Sequence, residues 1–94
     1  NKDDMKQIVS ILCKDLIERC QERLDIKLTV RDSVKKHIVE TAYEPKYGAR
    51  PLRRAIQSRI EDALANEILE GKIKRGDHVQ VRLHKEEILF EVKN

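Results

Sequence analysis

The residue types best suited to chemistry in this sequence lie in one short run, YGARPLRR, which spans Tyr47 to Arg54. Gly48 and Ala49 leave room for a ligand to approach the backbone closely, and a helix that begins here presents free N–H groups at its N-terminus. Arg50 adds a planar set of N–H donors that suits phosphate oxygens. The run can therefore contact a phosphate group, although a tight turn followed by a solvated basic face accounts for the same residues.

A complete nucleotide-binding P-loop is missing from the sequence. That motif needs two glycines five apart, followed by Lys and by Ser or Thr, so that bare backbone amides can wrap the phosphates. Gly71 and Gly76 have this spacing, but Asp77 and His78 follow them. The chain is therefore not a complete P-loop ATPase, and we expect the isolated chain neither to hydrolyse ATP nor to bind it tightly.

Other catalytic and metal-binding patterns are missing as well. His37, His78 and His84 are scattered over different predicted elements, and neither cysteine lies at zinc-ligand spacing from them. No serine lies in a G-x-S-x-G nucleophile motif. Acid pairs such as Glu61 with Asp62 are adjacent on a predicted helix, where neighbours point in different directions, so we interpret them as solvated surface. We predict no catalytic residue and no metal site.

The elements that must position the arginine run are indicated by hydrophobic periodicity. From Asp4 to about Leu24, apolar residues recur at spacings of three and four, which predicts an amphipathic first helix. From Ile26 to Val30 the period is two, which predicts a short strand. Asp32 or Ser33 can cap a second helix. This helix ends before Pro45, because proline disfavours helical geometry in the preceding residue.

The second half of the chain contributes a third helix and a hairpin. The helix runs from Arg50 to about Glu70, with Pro51 in its first turn and Gly71 as the residue that ends it. Alternating apolar residues from Val79 to Val92, reversed near Lys85 to Glu87, predict two antiparallel strands. The early strand can join them. We therefore predict an α+β fold, with three main helices packed on a three-stranded sheet that includes a C-terminal hairpin.

Length and charge narrow the classes of protein further. The 94 residues suit one domain. With 20 basic and 17 acidic side chains the net charge is only +3, and there are only three aromatic residues, whereas a nucleic-acid domain usually concentrates basic charge and stacking aromatics. No apolar run approaches the roughly 20 residues that cross a bilayer, so we expect a cytoplasmic protein. Cys13 and Cys20, about 10 Å apart on one helix, are too far apart for a disulfide, and we expect two buried thiols.

The run YGARPLRRAIQ, from Tyr47 to Gln57, resembles the sensor-2 segment of the second ATPase module in Clp/Hsp100 AAA+ proteins, the ClpC and ClpB unfoldases. The preceding Tyr43–Pro45 is similar to the approach to this motif in that family, and so are Ile60–Ala65 and the opening of the hairpin after it. The resemblance extends from Met5 to about Val92. It leaves the ClpC and ClpB types open, with the Ile-Glu-Asp segment leaning toward ClpC.

The resemblance implies an AAA+ lid of the Clp D2-small type, with residues 1–94 as one subdomain of a larger Clp ATPase. It also implies that Arg50 is the sensor-2 arginine, which reaches toward the phosphates of ATP. Gly48, Ala49 and Pro51 would form the supporting turn. ATP or ADP, with Mg²⁺, would be held by the large domain of the parent protein and not tightly by this chain.

The implied partners are the large AAA+ domain of the same chain, neighbouring subunits of a hexameric ring and, through the parent, a ClpP-type peptidase. Arg53 and Arg54 fall in the same motif, and we interpret them as surface ion pairs or subunit contacts instead of nucleotide ligands. Two other functions stay open. One is a protein-interaction or oligomerisation module without a nucleotide role, and the other is a small basic domain that binds nucleic acid through the cluster from Arg50 to Arg59.

Overall fold

A computed structural model describes all of residues 1–94. It contains three helical rods and one three-stranded sheet, as predicted. The elements in chain order are α1 (Lys2–Leu24), β1 (Lys27–Val30), α2 (Asp32–Ala42), α3 (Arg50–Ile56), a π-helical turn (Gln57–Glu61), α4 (Asp62–Leu69), β2 (His78–His84) and β3 (Glu87–Val92).

The first helix begins two residues earlier than the apolar periodicity predicts. The Asn1 side chain caps it, because its Oδ1 accepts hydrogen bonds from the backbone N–H groups of Asp3 and Asp4 at 2.9 and 3.1 Å. The helix buries one stripe, made of Val9, Cys13, Leu16 and Cys20. No helix of the structure combines the length and the apolar character needed to span a bilayer.

The two cysteines are the buried, unpaired thiols that the sequence predicts. Cys13 has none of its surface exposed and Cys20 only 3%. Burial raises the pKa of both thiols, so both stay protonated near neutral pH and act as small apolar side chains.

The sheet has the order β1-β2-β3. The β2 and β3 strands form the predicted antiparallel hairpin, whereas β1 pairs with β2 in parallel, in a register that sets Leu28 beside Val79. The helices between β1 and β2 supply the long connection that a parallel pair requires. One face of the sheet packs on the helices in a single hydrophobic core, whose fully buried members include Val9, Leu16, Ile38, Leu52, Ile60, Val79 and Val81.

The second helix is not capped by a side chain, which corrects the sequence prediction. Arg31 occupies the cap position and makes no side-chain cap bond. Asp32 is already the first helical residue, and its carboxylate instead accepts a hydrogen bond from Lys6 Nζ at 2.8 Å. That bond lowers the pKa of Asp32. Asp32 does not act as the cap because it is already part of the helix. Its carboxylate joins α2 to α1 instead.

The third predicted helix is one continuous rod that contains a π-helical turn. Its backbone stays helical from Arg50 to Leu69, but the N–H of Asp62 donates to the carbonyl of Gln57, one residue further back than in an α-helix. Gly71 ends the rod as predicted, at φ 77°. The N–H of Gly71 donates to the carbonyl of Ile68, and the N–H of Lys72 donates to the carbonyl of Glu67. These are the two hydrogen bonds of a Schellman motif.

The turn between β2 and β3 holds two residues other than glycine in left-handed backbone geometry. Lys85 and Glu86 both have positive φ, 49° and 65°, as a two-residue type I′ turn requires. Left-handed geometry costs a residue with a Cβ roughly 1–2 kcal/mol. Combining Lys85→Asn with Glu86→Gly should therefore raise the free energy of unfolding in urea by roughly 1 kcal/mol. Glu87→Gly, one residue later in the strand, is the control and should lower it; a decrease from the turn variant would contradict the assignment.

Candidate functional site

The arginine run is positioned by a tight turn that connects α2 to α3. The carbonyl of Glu44 accepts hydrogen bonds from the N–H groups of Tyr47 and Gly48 at 3.0 and 3.1 Å. Gly48 has φ 63°, a conformation that glycine adopts without strain. Pro51 lies in the first turn of α3, where a missing N–H costs little. The turn thus reverses the chain immediately before Arg50.

Arg50 is the first residue of α3 and is exposed to solvent. Its guanidinium makes no hydrogen bond and no ion pair with any other residue of the chain. Two positions further on, Leu52 is fully buried in the core and anchors this end of the rod. Arg50 therefore stands on a fixed element with all five of its donors available to a group from outside the chain.

A polar cleft lies between the end of α2 and the rod, and we call it the arginine cleft. Three of its lining residues are Arg50, Arg54 and Arg59, and the others are Thr41, Ala42, Glu44, Tyr47, Pro51, Ala55 and Ser58. Arg54 is exposed and has no partner in the chain. Arg59 is held in place, because its Nη1 donates to Thr41 Oγ1 at 2.6 Å and that hydroxyl donates to the carbonyl of His37 at 2.8 Å.

The structure separates the arginines that the sequence grouped together. Arg50 and Arg54 share the cleft with Pro51, whereas Arg53 is exposed but does not line it. Gly48 and Ala49 form the turn behind the cleft and do not line it either. Arg59 joins the cleft from the π-helical turn.

A second ionic contact, which the sequence interpretation missed, joins α1 to the rod. Arg19 Nη1 and Nη2 donate to the two carboxylate oxygens of Glu61 at 3.0 and 3.3 Å, and Nε donates to Asp15 at 3.0 Å. These bonds, first that with Glu61 and then that with Asp15, raise the pKa of Arg19. Glu61, which we interpreted as solvated surface, is partly exposed but is also bound by Arg19. Only the Asp15–Arg19 half could be found from sequence, through its i, i+4 spacing.

An apolar groove of about 380 Å³ lies beside this ion pair, between α1 and α4. Leu16, Cys20, Leu64 and Ile68 form much of its lining. Two leucines at its edge are exposed, Leu24 by 39% and Leu69 by 82%. Leu24, the last apolar residue of the predicted first helix, is the last residue of α1, and no element covers it there.

The histidines do not gather into a site. His78 and His84 lie on the same strand, not on separate elements as the sequence suggested, but at its two ends. His37 lies on α2. No group of three His, Cys, Asp or Glu side chains has a geometry that could hold a metal ion.

The chain forms a small α+β domain that has an arginine-lined cleft and no phosphate-binding loop. Residues 1–81 match the family described as the C-terminal, D2-small domain of ClpB protein. Because this match covers most of the sequence, the chain belongs to the ClpB D2-small family. This confirms the resemblance that the run from Tyr47 to Gln57 first indicated.

Curated relatives agree with this family. The chain is 44% identical over 80 residues, 85% of its length, to the ATP-dependent Clp protease ATP-binding subunit ClpA homolog of Pyropia yezoensis. It is 39% identical over 92 residues, 98% of its length, to the ClpC subunit of Staphylococcus saprophyticus. It is 40% identical over 83 residues, 88% of its length, to the chaperone protein ClpB of Oceanobacillus iheyensis. The chain spans only about a tenth of the length of each of these relatives.

Proposed function

We propose that this chain is the nucleotide-sensing lid of an ATP-dependent Clp unfoldase, and that Arg50 is the residue that contacts the phosphates of ATP. The observation that carries this proposal is the state of Arg50, which is exposed, unpaired and fixed at the start of a rod anchored by Leu52. Residues 1–94 would form one subdomain of the larger protein. The family supports the proposal, since relatives are named as ATP-binding subunits.

The nucleotide would supply the charged phosphate group, and a large domain outside this chain would hold it together with Mg²⁺. Arg50 would donate hydrogen bonds to the phosphate oxygens, and Gly48 in the preceding turn would let the chain approach closely. A guanidinium contact of this kind stabilises charge on the transferring phosphoryl group. Because ADP lacks the terminal phosphate, the contact differs between the two nucleotides.

Loss of the Arg50 contact would change the position of the lid if the domain turns as one rigid body. The single hydrophobic core and the ion pair between Arg19 and Glu61 join α1 to the rod. A change at Arg50 would therefore move the whole domain about a hinge outside this chain. In a ring of such subunits this movement would pull on a substrate protein.

The partners in this proposal are the large AAA+ domain and the neighbouring subunits of a hexamer, with a ClpP-type peptidase as a partner of the complete protein. Arg53 is exposed and does not line the arginine cleft, and it suits a subunit contact. Cytoplasmic placement stays a prediction. Among the relatives some are named as protease subunits and others as chaperones, and both activities would use the same lid.

The position of the lid in the presence of ATP and of ADP tests the proposal. A donor dye at Ser33→Cys, with an acceptor on the large domain, reports the distance between them in the complete protein, and the native cysteines are buried. We expect the distance to differ between ATP and ADP, and Arg50→Ala to abolish the difference. Arg75→Ala, at an exposed arginine outside the arginine cleft, is the control. A nucleotide-dependent difference that survives in Arg50→Ala would contradict the role of Arg50.

A further inference from the structure

Two arginines that line the arginine cleft, Arg54 and Arg59, carry positive charge that the proposed nucleotide contact does not use. Arg54 has no partner in the chain, and Arg59 uses only one of its five donors, on Thr41. Both side chains line the cleft together with the hydroxyl group of Ser58. Two arginines, a serine and a threonine therefore line the same cleft, and neither arginine forms an ion pair with a carboxylate of the chain.

The spacing of the two arginines indicates the size of the ligand. Arg54 and Arg59 are five residues apart on the rod, which at a rise of 1.5 Å per residue is about 7.5 Å along its axis. Carboxylates on the same face of an extended peptide, two residues apart, are separated by about 6.7 Å. Carboxylates four residues apart on a helix are about 6 Å apart along its axis. These backbone spacings are similar, so the two arginines suit two acidic side chains of one peptide.

The charges at the two ends of the cleft limit the length of that ligand. Glu44 lines the end near Arg50. At the other end, Glu86 and Glu87 of the hairpin lie beside Arg59 and Thr41 around an adjoining depression. A long polyanion such as a nucleic acid would pass these carboxylates and be repelled, whereas a short acidic segment fits between them.

We propose that Arg54 and Arg59 bind two carboxylates of a short acidic segment of a partner protein. Each guanidinium can donate two parallel hydrogen bonds to a carboxylate, which makes such pairs both strong and directional. The hydrogen bonds from Arg59 to Thr41 and from Thr41 to His37 hold one of the two groups ready. The proposal depends on Arg54 and Arg59 and not on the nucleotide contact of Arg50, which lines the same cleft, so either can be correct without the other.

Binding of a fluorescein-labelled oligoglutamate peptide of about six residues to this chain at low ionic strength tests the proposal without nucleotide. We expect the peptide to bind, and an oligoglutamine peptide of equal length not to bind. Arg54→Gln combined with Arg59→Gln should weaken binding roughly tenfold. The control combines Arg53→Gln with Arg75→Gln, which removes the same charge from two exposed positions outside the cleft and should change the affinity less than about twofold.

Three results would overturn the site. The first is the absence of oligoglutamate binding, and the second is an equal loss of affinity in the control variant. The third is tighter binding of a single-stranded oligonucleotide of equal charge, which would make the cleft a nucleic-acid site. Because Arg59 contacts Thr41, thermal unfolding must show that the double variant is folded. Arg54→Gln alone, at an exposed residue without partners, should still weaken binding, and unchanged affinity in that variant would also contradict the proposal.

Discussion

Replacing Arg50 by alanine is expected to lower ATP turnover by the complete protein roughly a hundredfold, since the loss of one donor that stabilises transition-state charge typically costs a factor of about 10²–10³. Arg50 is exposed and makes no bond within the chain, so its removal should leave the folding of the domain unchanged. The measurement is steady-state ATP hydrolysis, with the size of the assembly determined in parallel. A large decrease with an intact ring would establish Arg50 as a nucleotide sensor.

Arg75→Ala provides the comparison for this experiment. It removes an exposed arginine that lies outside the arginine cleft and has no part in the proposal, and turnover should stay close to that of the unmodified protein. If Arg50→Ala left turnover unchanged, the motif would be a structural turn. The role of the domain would then be assembly, with the free edge of β3, which pairs only with β2, as the place to look for a contact.

Leu52→Ala is expected to produce the largest loss of stability among the residues near the site. Its side chain is fully buried, and truncating a buried leucine to alanine typically costs about 3–5 kcal/mol through lost apolar contacts and the cavity that remains. A domain of this size is stable by only roughly 5–15 kcal/mol. Urea unfolding followed by circular dichroism should therefore show a transition at a much lower denaturant concentration.

Leu69→Ala is the matched control, because it makes the same chemical change on the same rod at a side chain that is 82% exposed. Its transition should stay near that of the unmodified chain. Equal effects from the two substitutions would mean that Leu52 does not anchor the rod in solution. Since Leu52 holds the start of α3, Leu52→Ala should also loosen the position of Arg50 and lower ATP turnover in the complete protein.

Much of the fold could be predicted from local sequence patterns. The spacing of apolar residues in α1, the alternation in β2 and β3, and the glycine that ends the rod all report interactions between residues close in the chain. Such interactions depend on helix and strand periods that every chain shares. The prediction of buried thiols at Cys13 and Cys20 succeeded for the same reason, because both lie on the apolar stripe of one helix.

Long-range contacts could not be predicted in this way. The parallel pairing of β1 with β2 joins residues about fifty positions apart, and no local pattern specifies its direction. The bond between Arg19 and Glu61 crosses from α1 to the π-helical turn. The role of Asp32 was predicted wrongly because its carboxylate could either cap α2 or meet Lys6, and only the packing of α1 against α2 selects the second.

By itself the sequence determined the class of the domain, through the run from Tyr47 to Gln57 and the absence of a P-loop, because a motif consists of residue types at short spacing. Only the tertiary structure decided which arginines act together. Arg53 and Arg54 are neighbours in sequence, yet Arg54 lines the cleft with Arg59 while Arg53 does not. The direction of a side chain from a helix, and the element that faces it, depend on packing between distant segments, which residue spacing along one helix does not encode.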